Sequence, residues 1–185
     1  MRRLAAVRLA VALLVVCGAC ASVPRTQVLV DYKDAEPVRQ VVLEAVNATG
    51  HDLPMPPPGI VEQAVRLVTR TADAAPTVPD AFVRAATERL ADMNIRIAAS
   101  DRRLRITIRD WDVRDGAATG AVVFVTAEYE LLGAHDEMLW HVRQDRLPVR
   151  PSGPNLDRSE VARVVGNCVD QALLSLPAPH AAAAQ

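Results

Sequence analysis

The chain is short of several things. Only 3% of its 185 residues are aromatic, two each of Trp, Tyr and Phe. Aromatic side chains ordinarily bury the most surface per residue, so the core has to come from Val, Leu, Ile and Ala. There is no basic surplus either, since the net charge is −1. Residues 1–19 hold Arg2, Arg3 and Arg8 and no acid, which leaves 18 basic against 22 acidic residues beyond them, a net of −4. That balance argues against nucleic acid as a partner and against docking on anionic lipid by charge alone. Cysteine is scarce: Cys17 and Cys20 lie near the start and Cys168 near the far end, which makes no disulfide framework. No apolar run reaches the roughly 20 residues that a spanning helix needs. The length fits one domain of ordinary size.

The first residues that are informative are the leader. Arg2, Arg3 and Arg8 make a positive start, Leu9 to Val16 an apolar core, and Gly18-Ala19 a small-residue pair before Cys20. These are the three parts of a secretory signal. The pattern resembles the bacterial lipobox, with Cys17 standing where Leu is usual. That resemblance implies cleavage before Cys20, more than one acyl chain on it, and membrane attachment through it. Ala21 and Ser22 lack the Asp that retains such proteins at the inner membrane, so it further implies the periplasmic face of the outer membrane. An ordinary signal peptide with an incidental cysteine is the alternative. The expected organisation is a signal peptide over 1–19, a lipidated tether over 20–26, one α/β domain over 27–176 and a disordered tail over 177–185.

Within the domain, Gln27–Tyr32 is β-rich and predicts a first strand. Residues 36–46 place Val38, Val41, Val42, Ala45 and Val46 at helical spacing behind Pro37, although their β-branching leaves a strand open. Asn47–Gly50 is turn chemistry, and Leu53–Gly59 carries four prolines and runs as an extended loop. Residues 60–71 read as a helix. Thr77 and Asp80 have capping-box spacing, with Pro79 in the first turn, and predict a helix over about 77–93. Short strand 95–97 follows. Leu104, Ile106 and Ile108 alternate inward, and the apolar set then changes parity at Trp111 and Val113, which calls for a bulge or the end of one-sided burial. A hairpin over Arg114–Gly120 leads to a long strand, 121–132, with Ala121, Val123, Val125, Ala127, Tyr129 and Leu131 on one side. Met138–Arg143 returns, and Leu147–Pro154 is a loop. Asp157 and Glu160 then open a helix, with Leu156 before it, that carries Val161, Val164, Val165, Cys168, Ala172 and Leu176 on its apolar face. Cys168 is therefore expected to be a buried, inert thiol.

Three stretches carry a wider resemblance: Ile106–Trp111, Val123–Leu131 and Glu137–Trp140. A strand ending in Trp, a strand running into Glu-Tyr-x-Leu, a turn and Leu-Trp are similar to a family of bacterial outer-membrane lipoproteins of unknown function. That family is grouped with TolB amino-terminal-like domains and with lipoproteins of curli secretion and penicillin-binding-protein activation. The likeness covers about residues 77–176, and the turn Gly133–Glu137 departs from the family's Thr-Gly. It implies an α/β (α+β) fold, a mixed or antiparallel sheet with a long hairpin and helices mainly on one face. It implies no catalytic residues.

Candidate chemistry outside the leader is thin. Asp110, Asp112 and Asp115 around Trp111 have the donor type for a hard cation or an acid/base pair, yet a solvated strand end is the plainer account and no calcium-loop spacing is present. His51, His135, His141 and His180 are scattered without metal-ligand spacing. Trp111 and Trp140 are expected as neighbours across the sheet. No cofactor or metal is expected. The expected function is a non-enzymatic envelope accessory or scaffold for secretion, transport or cell-wall assembly. Its protein partner would meet a sheet edge or the 53–59 loop, and a homo-oligomer is admissible. The alternatives are a periplasmic hydrolase or metal-dependent enzyme on the three aspartates, and a small-ligand carrier.

Overall fold

The structure is a computed structural model that describes residues 25–30, 36–57, 76–116, 120–152 and 156–179. The elements are β1 (Arg25–Val30), β2 (Gln40–Asn47), α1 (Val78–Asp92), β3 (Arg96–Ile97), β4 (Arg103–Gly116), β5 (Gly120–Leu132), β6 (Met138–Val149) and α2 (Arg158–Leu173). The strands form one six-stranded mixed sheet in the order β1-β6-β5-β4-β2-β3. β4, β5 and β6 are an antiparallel meander, β1 adds antiparallel to β6, and β2 is parallel to both β4 and β3. α1 lies against β2 and β3, α2 against β6 and β5, and the helices pack on each other. This is the expected α+β class.

β5 is the centre of the core. Val123, Val125, Ala127, Tyr129 and Leu131 all have no exposed surface, and Leu104, Ile106, Ile108, Trp140 and Val142 flank them. Phe82, Ala86 and Leu90 from α1, and Val161, Val164, Val165, Cys168 and Ala172 from α2, close over that face. The scarcity of aromatics is thus met by aliphatic packing, with Tyr129, Trp140 and Phe82 the largest buried side chains.

Both helix starts follow from their capping residues. Thr77 Oγ1 accepts from the Asp80 N–H, and Asp80 Oδ2 accepts from the Thr77 N–H at 2.7 Å. These hydrogen bonds to Thr77 hold the Asp80 carboxyl below its ordinary pKa. At α2 the Asp157 carboxylate accepts from the Glu160 N–H. Glu160 does not reach back, however. Its Oε2 accepts from the Ser152 N–H and from Arg163, tying the preceding loop to the helix instead.

Several expectations change. Residues 36–46 are not a helix: β2 occupies 40–47, slotted between β4 and β3. Val41 is buried while Val42 and Val46 are more than a third exposed, which is strand alternation. The β-branched valines decided this once β4 offered a ladder. β6 runs on through Val149 rather than ending at Arg143. Pro148 is tolerated because β1 begins opposite Asp145, so β6 is an edge strand past that point. Leu53 is buried, its carbonyl accepts from the Val78 N–H, and the Met55 N–H donates to the Pro76 carbonyl. The start of the proline-rich loop is therefore fastened to α1. β1 already begins at Arg25, inside the stretch expected to be tether. At the other end the Pro177 carbonyl accepts from the Val38 N–H and Ala178 packs on the core. The helix expected over 60–71 lies outside the described residues.

One polar side chain is fully enclosed. Tyr129 Oη donates to Gln144 Oε1 at 3.1 Å, and Gln144 Nε2 donates to the Cys168 carbonyl at 2.7 Å. Burial pushes the Tyr129 hydroxyl well above its usual pKa, so it stays a neutral donor. Gln144→Leu keeps the volume but strands the phenol, at a cost of about 1–3 kcal/mol. Urea unfolding monitored by Trp fluorescence should show that loss, and an unchanged midpoint would contradict it.

Candidate functional site: the bulged end of the sheet

The parity change at Trp111 is resolved by a bulge. β4 pairs Ile108 with Ala127 and then Asp110 with Thr126, so Arg109 is the extra residue. Trp111 and Val113 thereby return to the side of Ile108, opposite Val125 and Val123. β6 does the same on the other flank. Gln144 pairs with Ala127 and Leu147 with Val125, leaving Asp145 and Arg146 opposite Thr126 alone. Arg146 takes up the turn with φ 47, and its N–H donates to Thr126 Oγ1 at 3.2 Å. Two bulges therefore flank one buried threonine. β1 starts at this row, and β2 ends one row before it, opposite Ile108. Among the described residues only β4, β5 and β6 continue beyond Thr126, as a three-stranded ribbon.

The sheet face turned away from the helices carries charge pairs. Arg105 pairs with Glu44, and Arg109 and Arg143 approach Glu128 at 2.8 and 3.5 Å. On the ribbon, Arg114 Nε donates to Asp112 Oδ2 at 2.7 Å, and Arg146 lies 3.9 Å from the same oxygen. Both guanidinium groups sit over the Phe124 ring, 5.2 and 5.4 Å from its centroid. Exposed pairs of this kind contribute about 0–1 kcal/mol each, so they shape the surface more than they stabilise it.

The three aspartates are spread along the ribbon half of β4. Asp112 is engaged by two arginines, Asp110 sits at the bulge opposite Thr126, and Asp115 is placed opposite Ala121 near the ribbon's end. Among the described residues no group of three His, Cys, Asp or Glu is placed to hold a metal. His51 precedes α1, His135 is in the β5–β6 turn, and His141 faces away from the helices opposite Glu130, with its Nε2 buried and without a hydrogen-bond partner. His180 is outside the described residues. Trp111 and Trp140 are not neighbours. They pair with Val125 and Leu131, six positions apart on β5, or about 20 Å. The Trp140 indole N–H donates to Ser175 Oγ. Two clefts, of about 360 Å³ beside Ala81, Arg84 and Ala162 and about 660 Å³ beside Thr87 and Ile97, are open to solvent and are not enclosed chambers.

Gln144, the arginine pair on Phe124 and the second bulge were not foreseen. A signal for Gln144 was present: it follows Trp140 and Val142 in the inward parity of β6. Cys168 is where the helix stripe put it, with no exposed surface and a thiol pushed up to about 12 by burial.

The class these features define is a one-sided mixed-sheet α+β domain. No family model matches the chain and no curated protein matches it. Solved structures do. A single-substitution variant of PelC from Paraburkholderia phytofirmans, a dodecamer, matches with a TM-score of 0.53 and 15% identity over 84% of this chain and 98% of that one. A Xanthomonas campestris protein of the DUF330 family gives 0.46 and 14% over 80% and 93%. A minor lipoprotein from Acinetobacter baumannii gives 0.37 and 9% over 76% and 98%. At this identity the first match shows a shared fold, and the other two are too distant to add to it. The grouping with TolB amino-terminal-like domains stays a resemblance of motifs.

Two outcomes follow. At pH 8 a thiol of pKa about 12 is about one part in 10⁴ thiolate, so Cys168 should resist alkylation until the chain is unfolded; rapid native labelling would contradict its burial. Replacing Asp110, Asp112 and Asp115 together by Asn should leave the fold and the protein's role in the cell intact. A well-folded triple variant without that role would revive the enzyme reading.

Proposed function

We propose that this chain is a lipid-anchored envelope protein of the outer membrane, attached through Cys20 and facing the periplasm. It acts there as a non-enzymatic accessory of a secretion, transport or cell-wall assembly. The observation that carries this is the Gly18-Ala19-Cys20 junction behind a short apolar leader, five residues ahead of the first strand of a folded domain. Two further facts support it. Cys168 is sealed in the core, which leaves Cys20 without a pairing role. Asp112, one of the aspartates that an enzyme would use, is held by Arg114 and Arg146.

The same domain assembles with copies of itself. That part rests on the PelC structure, whose chain has this fold over almost its whole length and is a dodecamer. The described surface offers two free sheet edges, β1 and the two-residue β3, for such contacts.

Cys20→Ser should abolish acylation and move the protein from the membrane fraction to the soluble periplasm. Light scattering on the detergent-purified wild type should give several times the 20.0 kDa chain mass. Continued membrane association of the variant would overturn the anchor, and a monomeric wild type would overturn the assembly.

A further inference from the structure

We infer that the ribbon end of the sheet, formed by Val113, Arg114, Val122, Phe124 and Arg146, lies against the phospholipid surface. This rests on attachment through Cys20 and adds the orientation of the domain to it. β1 begins at the bulge row and runs antiparallel to β6, which heads toward the ribbon. Arg25 is therefore the end of β1 nearest the ribbon. From Cys20 to Arg25 is five residues, about 17 Å at full stretch. From Thr126 to Gly120, the ribbon projects six residues past the same row, about 20 Å. A tether no longer than the projection cannot hold an upright ribbon clear of the plane in which Cys20 is buried. The opposite end is a similar distance from Arg25, so that tether cannot bring Cys20 past it.

The reach of the tether carries the orientation, and the ribbon offers a surface that can meet it. The sequence carries no charged residue from Gly116 to Ala127, and the charges beside that stretch, Asp112, Arg114, Asp115 and Arg146, balance. Val113 is 42% exposed, and Val122 and Phe124 are half-buried. Arg114 and Arg146 stack their apolar planes on Phe124, share Asp112 Oδ2 between them and keep about half of each side chain exposed, a charge-balanced aromatic surface that suits the boundary between acyl chains and headgroups. The far end presents the exposed His135-Asp136-Glu137 turn, where Asp136 pairs with Arg103 at 3.3 Å and, among the described residues, no arginine-capped aromatic ring is present. The anchor supplies the affinity and the ribbon sets the orientation, so the net charge of −4 is no obstacle.

The test uses the acylated full chain in vesicles of phosphatidylethanolamine and phosphatidylglycerol. With Cys20 modified and Cys168 buried, Val122→Cys places the reactive thiol on the ribbon. Leu174→Cys places it past the end of α2, where Leu174 is 72% exposed. Val113→Cys is a second ribbon reporter should the first disturb packing. An environment-sensitive fluorophore on 122 or 113 should shift to the blue and be quenched by headgroup-spin-labelled lipid at least about threefold more than the same probe on 174. Equal, water-like emission at all sites while the protein floats with vesicles overturns the contact and leaves the anchor standing. A blue shift that persists in detergent, with no quenching by labelled lipid, assigns the ribbon to a second copy or another protein and also overturns it. Failure of the wild type to float overturns the anchor and this orientation with it.

Discussion

The side chains of β5 that face the helices are withdrawn from water along most of the strand, and the domain is arranged around keeping them so. A strand of small aliphatics with a single Tyr has little area per residue to bury, so both faces of the hairpin ladder and both helices must meet it closely. At about 25 cal/mol per Å² of apolar surface, such a core depends on completeness of contact. That explains why Gln144 is bonded at both ends. An unsatisfied amide at that point would cost as much as a buried methyl group contributes, and the Tyr129–Gln144–Cys168 chain fixes α2 against the sheet at one register.

The same requirement accounts for the paired bulges. The long hairpin has to keep apolar residues on the helix side over its whole length, while both flanking strands change parity near Thr126. Each inserts one residue there, at Arg109 and at Asp145–Arg146, and the apolar pattern resumes. The cost is a row where the outer strands β1 and β2 stop. What lies beyond is a ribbon whose helix side buries Val123 and Val125 but exposes Val113, and whose other face carries arginines on an aromatic ring. The feature that distinguishes the two ends of the domain is thus a by-product of conserving one-sided burial.

Much of this was legible in the chain. Period-two alternation marked β4 and β5, and side-chain capping marked both helices to within a residue or two. The parity break at Trp111 announced the first bulge. The valines of 38–46 were ambiguous because a run of β-branched residues fits a strand or a helix face until a partner ladder is known, and that partner, β4, is some 60 residues away. The second bulge was hidden because the strand reads as ending at Arg143 and the loop as starting at Leu147, which leaves Asp145 and Arg146 in neither. The pairing of Asp112 with Arg114 and Arg146 joins two strands not adjacent in sequence, so local spacing showed only a cluster of acids. The proposed anchor is different in kind: its pattern is a few residues in linear order and does not depend on the fold.

The central claim is that Cys20 carries the lipid that holds this domain at the membrane. Intact mass spectrometry of the mature protein extracted from the envelope tests it most directly. The account predicts a chain that begins at Cys20 and is heavier than residues 20–185 by the mass of its acyl chains and their glyceryl link. A mature chain of unmodified mass, or one whose first residue is not Cys20, would contradict it.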